Sequence, residues 1–224
     1  MTGLPSWWEP LTTRVASVSA ADFTRLPAPD PGQGARASAV LVLFGQDPGA
    51  GPDVLVLQRA ATMRNHAGQV AFPGGAVVPG DADPAATAIR EANEEVGLDP
   101  AGVRVVATLP PLWIPVSNYV VTPVLAWWRR PHPVGPVDQA EVARVERLSV
   151  AELVDPEHRL RLRHPSGWIG PAFRVRDLLV WGFTAGVLST LLDLAGWAGP
   201  WPTDRVQTLA SATDPPGTSA SPVR

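Results

Sequence analysis

The sequence predicts an α+β fold, and three observations support this prediction. Two β-rich runs, Ser38–Phe44 and Val54–Gln58, are separated by the turn-forming residues GQDPGAGPD, which is typical of a β-hairpin. The segment Pro84–Val96 has the signals of a helix, with Asp83 as N-cap, proline at the first helical position and Gly97 after the last turn. Further β-rich runs follow this helix, so strands and helices are mixed along the chain.

The other elements are predicted from local composition. Runs of β-branched and aromatic residues predict strands at Val103–Leu109, Tyr119–Trp127 and Ala140–Arg147. Short helices are predicted near Ala16–Leu26 and at Ala151–Val154, where Asp155-Pro156 ends the second. The apolar segment Leu178–Leu194 is predicted to be a long buried helix, because its uncharged part is shorter than the ~20 residues that a membrane span requires.

Length and composition predict one main domain. The chain has 224 residues, of which 45% are hydrophobic, and this is enough for one substantial core. Residues 1–34 are rich in Pro and Gly and are predicted to be a leader that packs on the domain at 35–201, while the Pro, Ser, Thr and Gly of 202–224 predict a disordered tail. No signal peptide is recognisable at the N-terminus, so a cytoplasmic location is predicted.

The net charge and the cysteine content exclude several classes of function for this protein. A net charge of −3 and a pI near 5.8 provide no overall attraction for nucleic acid or anionic membrane, so the expected partner is a small-molecule substrate. Cysteine is absent, which excludes disulfides, thiolate metal sites and a cysteine nucleophile. A metal ion in this protein would therefore be bound by oxygen.

The predicted helix Pro84–Val96 carries a cluster of acidic residues. At 3.6 residues per turn, Glu91 and Glu95 lie one turn apart on one stripe, and Glu94 lies on the adjoining edge, so three carboxylates are expected to converge. A solvated helix face is the alternative, because charge runs usually face solvent. A hard divalent cation would relieve the repulsion between the carboxylates. Arg90, four residues before Glu94, can hold that carboxylate in place.

The segments around this helix resemble the signature of the Nudix hydrolase family. The residues that carry the resemblance are Phe72-Pro73-Gly74-Gly75, an acid-rich turn, and Arg90-Glu91-Ala92-Asn93-Glu94-Glu95-Val96-Gly97-Leu98. The resemblance implies a Nudix-type α/β/α sandwich with a mixed central sheet, and a Mg²⁺ or Mn²⁺ ion on Glu91, Glu95 and Glu94. Ala82 stands where the family pattern has a loop glutamate, so Asp81 or Asp83 must replace it, and Asp81 is favoured.

Residues upstream of the glycines resemble one branch of this family, the coenzyme A pyrophosphatases. Arg59, Arg64 and His66 precede Gly74 and Gly75 with the spacing of the branch motif, although its serine is Ala60 here. Arginine side chains are well suited to binding phosphate groups. We therefore predict that this motif binds the substrate through Arg59, Arg64, His66, Gly74 and Gly75, and His66 has the weakest support. The products implied are 3′,5′-adenosine diphosphate and 4′-phosphopantetheine, from coenzyme A or acyl-coenzyme A.

The resemblance also suggests a mechanism. The metal is expected to neutralise the diphosphate and lower the pKa of a water that attacks phosphorus, with Glu94 or Glu141 as general base and Arg90 in the catalytic set. Two other functions stay open, namely hydrolysis of another diphosphate such as ADP-ribose, NADH or a nucleoside triphosphate, and a non-catalytic binding module. A homodimer through exposed tryptophans, at Trp7, Trp8, Trp127 and Trp128, is also open.

Overall fold

The computed structural model describes residues 3–27, 29, 34–63 and 66–209. Its strands are β1 Arg36–Asp47, β2 Gly51–Arg59, β3 Val70–Ala71, β4 Gly74–Ala76, β5 Val103–Thr108, β6 Leu112–Ile114, β7 Tyr119–Trp128, β8 Val142–Ser149, β9 Arg159–Arg163, β10 Ile169–Val175, β11 Leu178–Val180 and β12 Val206–Thr208. Its α-helices are α1 Glu9–Val15, α2 Pro84–Val96, α3 Val150–Val154 and α4 Gly182–Leu194, and short 3-10 helices span Ser6–Trp8, Ala20–Asp22 and Pro100–Gly102.

The first sheet contains both parallel and antiparallel pairs, as predicted. Its main strand order is β3-β2-β1-β7-β5, with β4 also paired to β1, β6 to β7 and β8 to β2. The predicted hairpin is confirmed, because β1 and β2 pair antiparallel with Phe44 opposite Val54. The long strand β1 also runs parallel to β7, and its first half pairs with β4, with Val40 opposite Gly74. The pairing of β1 with β4 brings Gly74 and Gly75 next to the centre of the sheet.

Both faces of this sheet are covered by helices. Along β1, Leu41 and Leu43 belong to the cluster that packs on α2, whereas Val42 and Phe44 belong to the cluster that includes α4. Successive side chains of a strand point to opposite faces, so this alternation places one helical layer on each side of the sheet. The predicted α+β sandwich is therefore confirmed, and α2 lies on the face opposite to α4.

A second sheet and the segments around it differ from the sequence prediction. It has the order β11-β10-β9-β12, and β9 and β10 were not predicted. The helix predicted to begin at Leu178 begins at Gly182, because Leu178–Val180 form the edge strand β11. The predicted disordered tail contains β12 Val206–Thr208, which pairs with β9, while residues 210–224 lie outside the described residues.

The N-terminal segment contributes to the core through a helix that the sequence placed too late. The observed α1 ends at Val15, where the prediction began at Ala16, and Ala20–Asp22 forms a 3-10 turn. Trp8 and Leu11 are fully buried in the cluster that contains Phe44. Trp128 is fully buried too, so the expectation of exposed tryptophans at a dimer contact is wrong for Trp8 and Trp128. The domain limits at 34 and 201 stay predictions.

No helix within the described ranges is both long and apolar enough to cross a membrane. The longest apolar segment is α4, which has 13 residues and buries Val187, Leu188 and Leu191 against the sheet. This agrees with the prediction that the segment is a buried helix.

Candidate active site

Helix α2 has the boundaries that its capping residues predict. The Asp83 side chain accepts a hydrogen bond from the Ala86 backbone N–H at 2.8 Å, and Gly97 ends the helix with a φ of 70°. Ala88, Ala92 and Val96 are fully buried against the sheet. Burial of this apolar stripe fixes the rotation of the helix, and the rotation directs Glu91 and Glu95 towards the Gly74–Gly75 turn.

The glycine turn, which consists of Gly74 and Gly75 at the start of β4, contacts both of these carboxylates. The Gly74 N–H donates to Glu95 Oε2 at 2.9 Å. A Cβ atom at Gly75 would lie 2.5 Å from the Glu91 carboxylate, and one at Gly74 would lie 2.4 Å from the Ala39 carbonyl oxygen. Only glycine allows this approach of backbone to helix and strand. The glycines thus fix the positions of Glu91 and Glu95. The contact of Gly74 and Gly75 with substrate stays a prediction.

Arg90 organises the acidic cluster. Its guanidinium donates two hydrogen bonds to Asp81, each at 3.1 Å, one to Glu91 at 2.9 Å and one to Glu94 at 3.1 Å. It also donates to the Ala76 carbonyl at 3.1 Å, next to the glycine turn. All of these contacts are with the protein's own groups, so the structure supports a positioning role for Arg90.

Asp81, favoured over Asp83 as the loop acid, is the anchor of Arg90, whereas Asp83 caps the helix. Asp81 also accepts hydrogen bonds from the Thr87 hydroxyl at 2.8 Å and the Val78 N–H at 3.1 Å. The Arg90 hydrogen bonds, followed by that of Val78, hold the pKa of this carboxyl well below its usual range. Thr87 was missed in the sequence because a threonine inside a helix usually signals nothing more than packing.

Glu94 does not join Glu91 and Glu95. Its side chain is 57% exposed and ion-paired with Arg90, whereas Glu91 is only 18% exposed. Among the described residues, no three acidic or histidine side chains are arranged to hold a metal ion together. The expected convergence of three carboxylates is therefore not observed. Two carboxylates facing one turn still fit Mg²⁺, which uses one or two protein carboxylates and takes its other oxygens from water and substrate.

The electrostatics around Glu95 favour a cation. Burial, opposed by the Gly74 hydrogen bond and the charge of Arg59, raises the pKa of Glu95 to about 7, and the charges of Glu91 and Glu141 add to the increase. The site thus holds more negative charge than its own Arg59 balances. A divalent ion would supply the missing positive charge.

Arg59 and Glu141 are held next to each other at the edge of this site. The Ala60 N–H donates to the Glu141 carbonyl at 2.8 Å, and Arg59 lies opposite Val142 where the β2–β8 register shifts. Arg59 Nε is buried and has no hydrogen-bond partner within the described ranges. Because both side chains act on the charge of Glu95, the structure brings Glu91, Glu95, Arg59 and Glu141 together.

The two remaining predicted residues, Arg64 and His66, follow β2 in the sequence. Arg64 is outside the described residues. His66 is exposed, has a φ of 57°, and its Nδ1 lies 2.9 Å from Gln69 Oε1, so its observed partner is within its own loop. Sequence reasoning missed Gln58, whose side chain donates to the Gly68 carbonyl at 3.0 Å and accepts from Arg144 at 2.9 Å. These bonds tie the end of that loop to β8.

Comparisons with known proteins agree on one family. The model of the NUDIX domain matches residues 34–168. A Cronobacter sakazakii protein, described as the uncharacterized Nudix hydrolase NudL, is 41% identical over 163 residues, covering 70% of this chain and 81% of the relative. The Escherichia coli K12 NudL is 38% identical over the same shares of the two chains. Among solved structures, the M. smegmatis Nudix hydrolase RenU is 19% identical, with 75% of this chain and 89% of that chain covered and a TM-score of 0.48.

Proposed function

This chain belongs to the Nudix hydrolase family, and we propose that within it the chain is a coenzyme A pyrophosphohydrolase. As a family member it is a hydrolase of phosphoric anhydrides that acts on a nucleoside diphosphate derivative. The proposed substrate is coenzyme A or acyl-coenzyme A, cut at the diphosphate to give 3′,5′-adenosine diphosphate and 4′-phosphopantetheine or its acyl form. The proposed place of this reaction is the cytoplasm.

Glu91 and Glu95 are the proposed ligands of a divalent cation, Mg²⁺ or Mn²⁺, with Glu94 as a further ligand. When bound, such an ion neutralises the diphosphate and makes a water molecule more acidic. Support comes from the chemistry of the donors, since both carboxylates face the glycine turn, where burial already penalises the charge of Glu95. Glu94 would have to exchange its ion pair with Arg90 for the metal.

The other residues of the site act by holding groups in position. Arg90 keeps Glu91 against the turn and is itself anchored by Asp81. Glu141 is the better candidate for the general base, because its charge acts on Glu95 and its backbone is held by Ala60, whereas Glu94 is engaged by Arg90. Its role would be to accept the proton of the attacking water as the diphosphate bond breaks.

The observation that carries the substrate proposal is the state of Arg59. Its charge acts on Glu95 of the carboxylate site, and its buried Nε has no hydrogen-bond partner among the described residues. A diphosphate oxygen is a fitting acceptor, since arginine and phosphate form charge-assisted hydrogen bonds. The spacing of Arg59, Arg64 and the glycine turn, which resembles the coenzyme A branch, then favours coenzyme A over other diphosphates.

The test is a substrate panel with the full chain. Coenzyme A, acetyl-coenzyme A, ADP-ribose, NADH and ATP are incubated with Mg²⁺, with Mn²⁺ or with EDTA, and products are identified by mass. We expect the highest kcat/KM for a coenzyme A species, cleavage to the two named products, and no turnover with EDTA. Preference for ADP-ribose or NADH would overturn the substrate, and no hydrolysis of any compound would favour a non-catalytic module.

An arginine variant tests the role of Arg59. Arg59→Gln is expected to raise the KM for coenzyme A about tenfold or more, since a charge-assisted hydrogen bond contributes about 1.5–3 kcal/mol. Arg163→Gln, on the exposed end of β9, is the matched control that removes the same charge elsewhere. An unchanged KM in Arg59→Gln would contradict the assigned phosphate contact.

A further inference from the structure

The second sheet holds a buried arginine whose hydrogen bonding is incomplete. Arg159 on β9 is 1% exposed, and it donates one hydrogen bond, from Nη2 to the Ser189 hydroxyl at 2.8 Å. Its Nη1 is buried and has no hydrogen-bond partner among the described residues. The nearest carboxylate, that of Asp193, is 3.8 Å from Nη1 and 59% exposed. A guanidinium has five N–H donors, so this group is poorly satisfied for a buried cation.

Aromatic rings cover Arg159 without replacing the missing acceptors. The guanidinium carbon lies 4.6 Å from the centre of the Trp201 ring and 5.4 Å from that of Phe173. A ring attracts the face of a guanidinium, but the N–H bonds point outward in its plane and need acceptors at the edge. Burial therefore lowers the pKa of Arg159, and the charge of Asp193 only partly opposes this. An acceptor from outside the described protein would complete the group.

An open cavity of about 240 Å³ lies against two of the residues that Arg159 contacts, Ser189 and Trp201. Its wall also contains the residues Arg161 and Thr203. A water molecule occupies about 30 Å³ of liquid, so the cavity has room for a polyatomic ligand. Arg161 follows Arg159 by two positions on the same strand, so both arginines lie on one face of the sheet. One arginine, Arg161, and two hydroxyl residues thus line the space, Arg159 lies behind Ser189 and Trp201, and Asp193 is the carboxylate paired with Arg159.

We infer that this cavity is an oxyanion site, formed by Arg161 and Ser189 with Arg159 behind them, that binds a phosphate-sized ligand away from the carboxylate site. The ligand's oxygens would accept from the Arg161 guanidinium and from the Ser189 hydroxyl, which is free to donate because it accepts from Arg159. The negative charge of the ligand would also compensate the buried cation Arg159, which lies behind Ser189 and Trp201. This site contains no residue of the proposed active site, so the inference does not depend on the proposed substrate.

Calorimetric titration of the full chain with inorganic phosphate tests this inference. The titration is done in EDTA to keep metal from the carboxylate helix, with sodium chloride at equal ionic strength as the reference. We expect saturable binding with a stoichiometry of one in the wild type. Arg161→Gln should weaken it about tenfold, the equivalent of ~1.4 kcal/mol for a lost charge-assisted contact. Acetate in place of phosphate distinguishes a general oxyanion site from one that requires phosphate.

Controls separate this site from non-specific charge effects and from the active site. Arg163→Gln removes the same charge from the next position on that face of β9, outside the cavity wall, and should bind phosphate like the wild type. Arg59→Gln should also bind it unchanged, because Arg59 belongs to the carboxylate site. No saturable binding in the wild type would overturn the inference. So would an equal loss in Arg161→Gln and Arg163→Gln, or a loss confined to Arg59→Gln.

Discussion

Two arginines, Arg90 and Arg159, are each enclosed by protein, but their guanidinium groups are satisfied to very different degrees. Arg90 donates to Asp81, Glu91, Glu94 and a backbone carbonyl, although its side chain is still 28% exposed. Arg159 is almost completely buried and, within the described ranges, donates one hydrogen bond, to a neutral hydroxyl. The first arginine is completed by its own chain and holds the acidic side chains of the candidate site in place. The second has capacity left for a ligand.

The largest expected effect tests whether the carboxylate site is the reactive one. Glu95→Gln removes a proposed metal ligand but keeps an oxygen that can accept from the Gly74 N–H, so the fold should persist. We expect kcat for the preferred substrate to fall about 100-fold or more, measured with saturating Mg²⁺ and with circular dichroism as the check on folding. Glu157→Gln, an exposed change near β9, is the control. Full activity in Glu95→Gln would refute the metal assignment.

Arg90→Met is expected to have the next largest effect. It removes the cation that holds Asp81, Glu91 and Glu94, so these like charges are left together without compensation. Loss of such a positioning contact typically costs 10–100-fold in activity or metal affinity, and we expect about that reduction in kcat/KM. Mg²⁺ affinity, followed by calorimetry, should fall with it. A variant with unchanged metal affinity and activity would show that Arg90 is dispensable for positioning.

The pH dependence of metal-free stability is expected to reveal the cost of burying the Glu95 charge. The pKa of Glu95 is raised by burial to about 7 in the folded chain, so the folded state binds its proton more tightly than the unfolded state. This contribution is fully present below the unfolded pKa of about 4.3 and is lost as pH rises through 7. Relative to Glu95→Gln, the wild type in EDTA should lose about 3 kcal/mol of unfolding free energy between these limits.

Urea unfolding at a series of pH values measures this difference. Addition of Mg²⁺ at the upper end should restore stability to the wild type and not to Glu95→Gln, because a ligand that binds the folded state stabilises it. Parallel pH profiles for the two proteins in EDTA would contradict the raised pKa of Glu95.

The smallest expected effect is that of Arg159→Met on stability. The change leaves no buried unpaired charge, because the partner Asp193 is largely exposed, and it removes the cost of burying a cation. We expect the free energy of unfolding to change by less than about 1 kcal/mol in chloride buffer, while phosphate no longer stabilises the protein. A large loss of stability in chloride would mean that Arg159 serves the fold and not a ligand.

The parts of this molecule that sequence reasoning predicted are those with local determinants. Asp83, Pro84 and Gly97 set the limits of α2, and the 3.6-residue period placed Glu91 and Glu95 on one stripe. Period alone could not predict that one Arg90 nitrogen pairs with both Glu91 and Glu94, because this depends on the reach of Arg90 to Asp81 across the loop. The strand Leu178–Val180 was predicted to be helix, because a short apolar run fits either structure. Its pairing with β10 depends on the tertiary structure.

The cavity beside Arg159 had no signal in the sequence at all. Its walls come from β9, from α4 and from residues 201–203, which are distant along the chain. Arg59 and Glu141 were recognised through a resemblance, yet their proximity follows from the pairing of β2 with β8, which composition does not reveal.

The double pairing of β1 has a consequence for how the chain tolerates insertions and deletions. One half of this strand aligns Val40 with Gly74, and the other aligns Phe44 with Val54. A residue inserted between these points would reverse the orientation of every side chain on one half and displace the carboxylate site or the core hairpin. We therefore expect insertions and deletions to be tolerated in the turn at residues 48–50 and to disrupt the fold within residues 40–44. Evolution of this scaffold is constrained by a strand that contributes none of the site's reactive side chains.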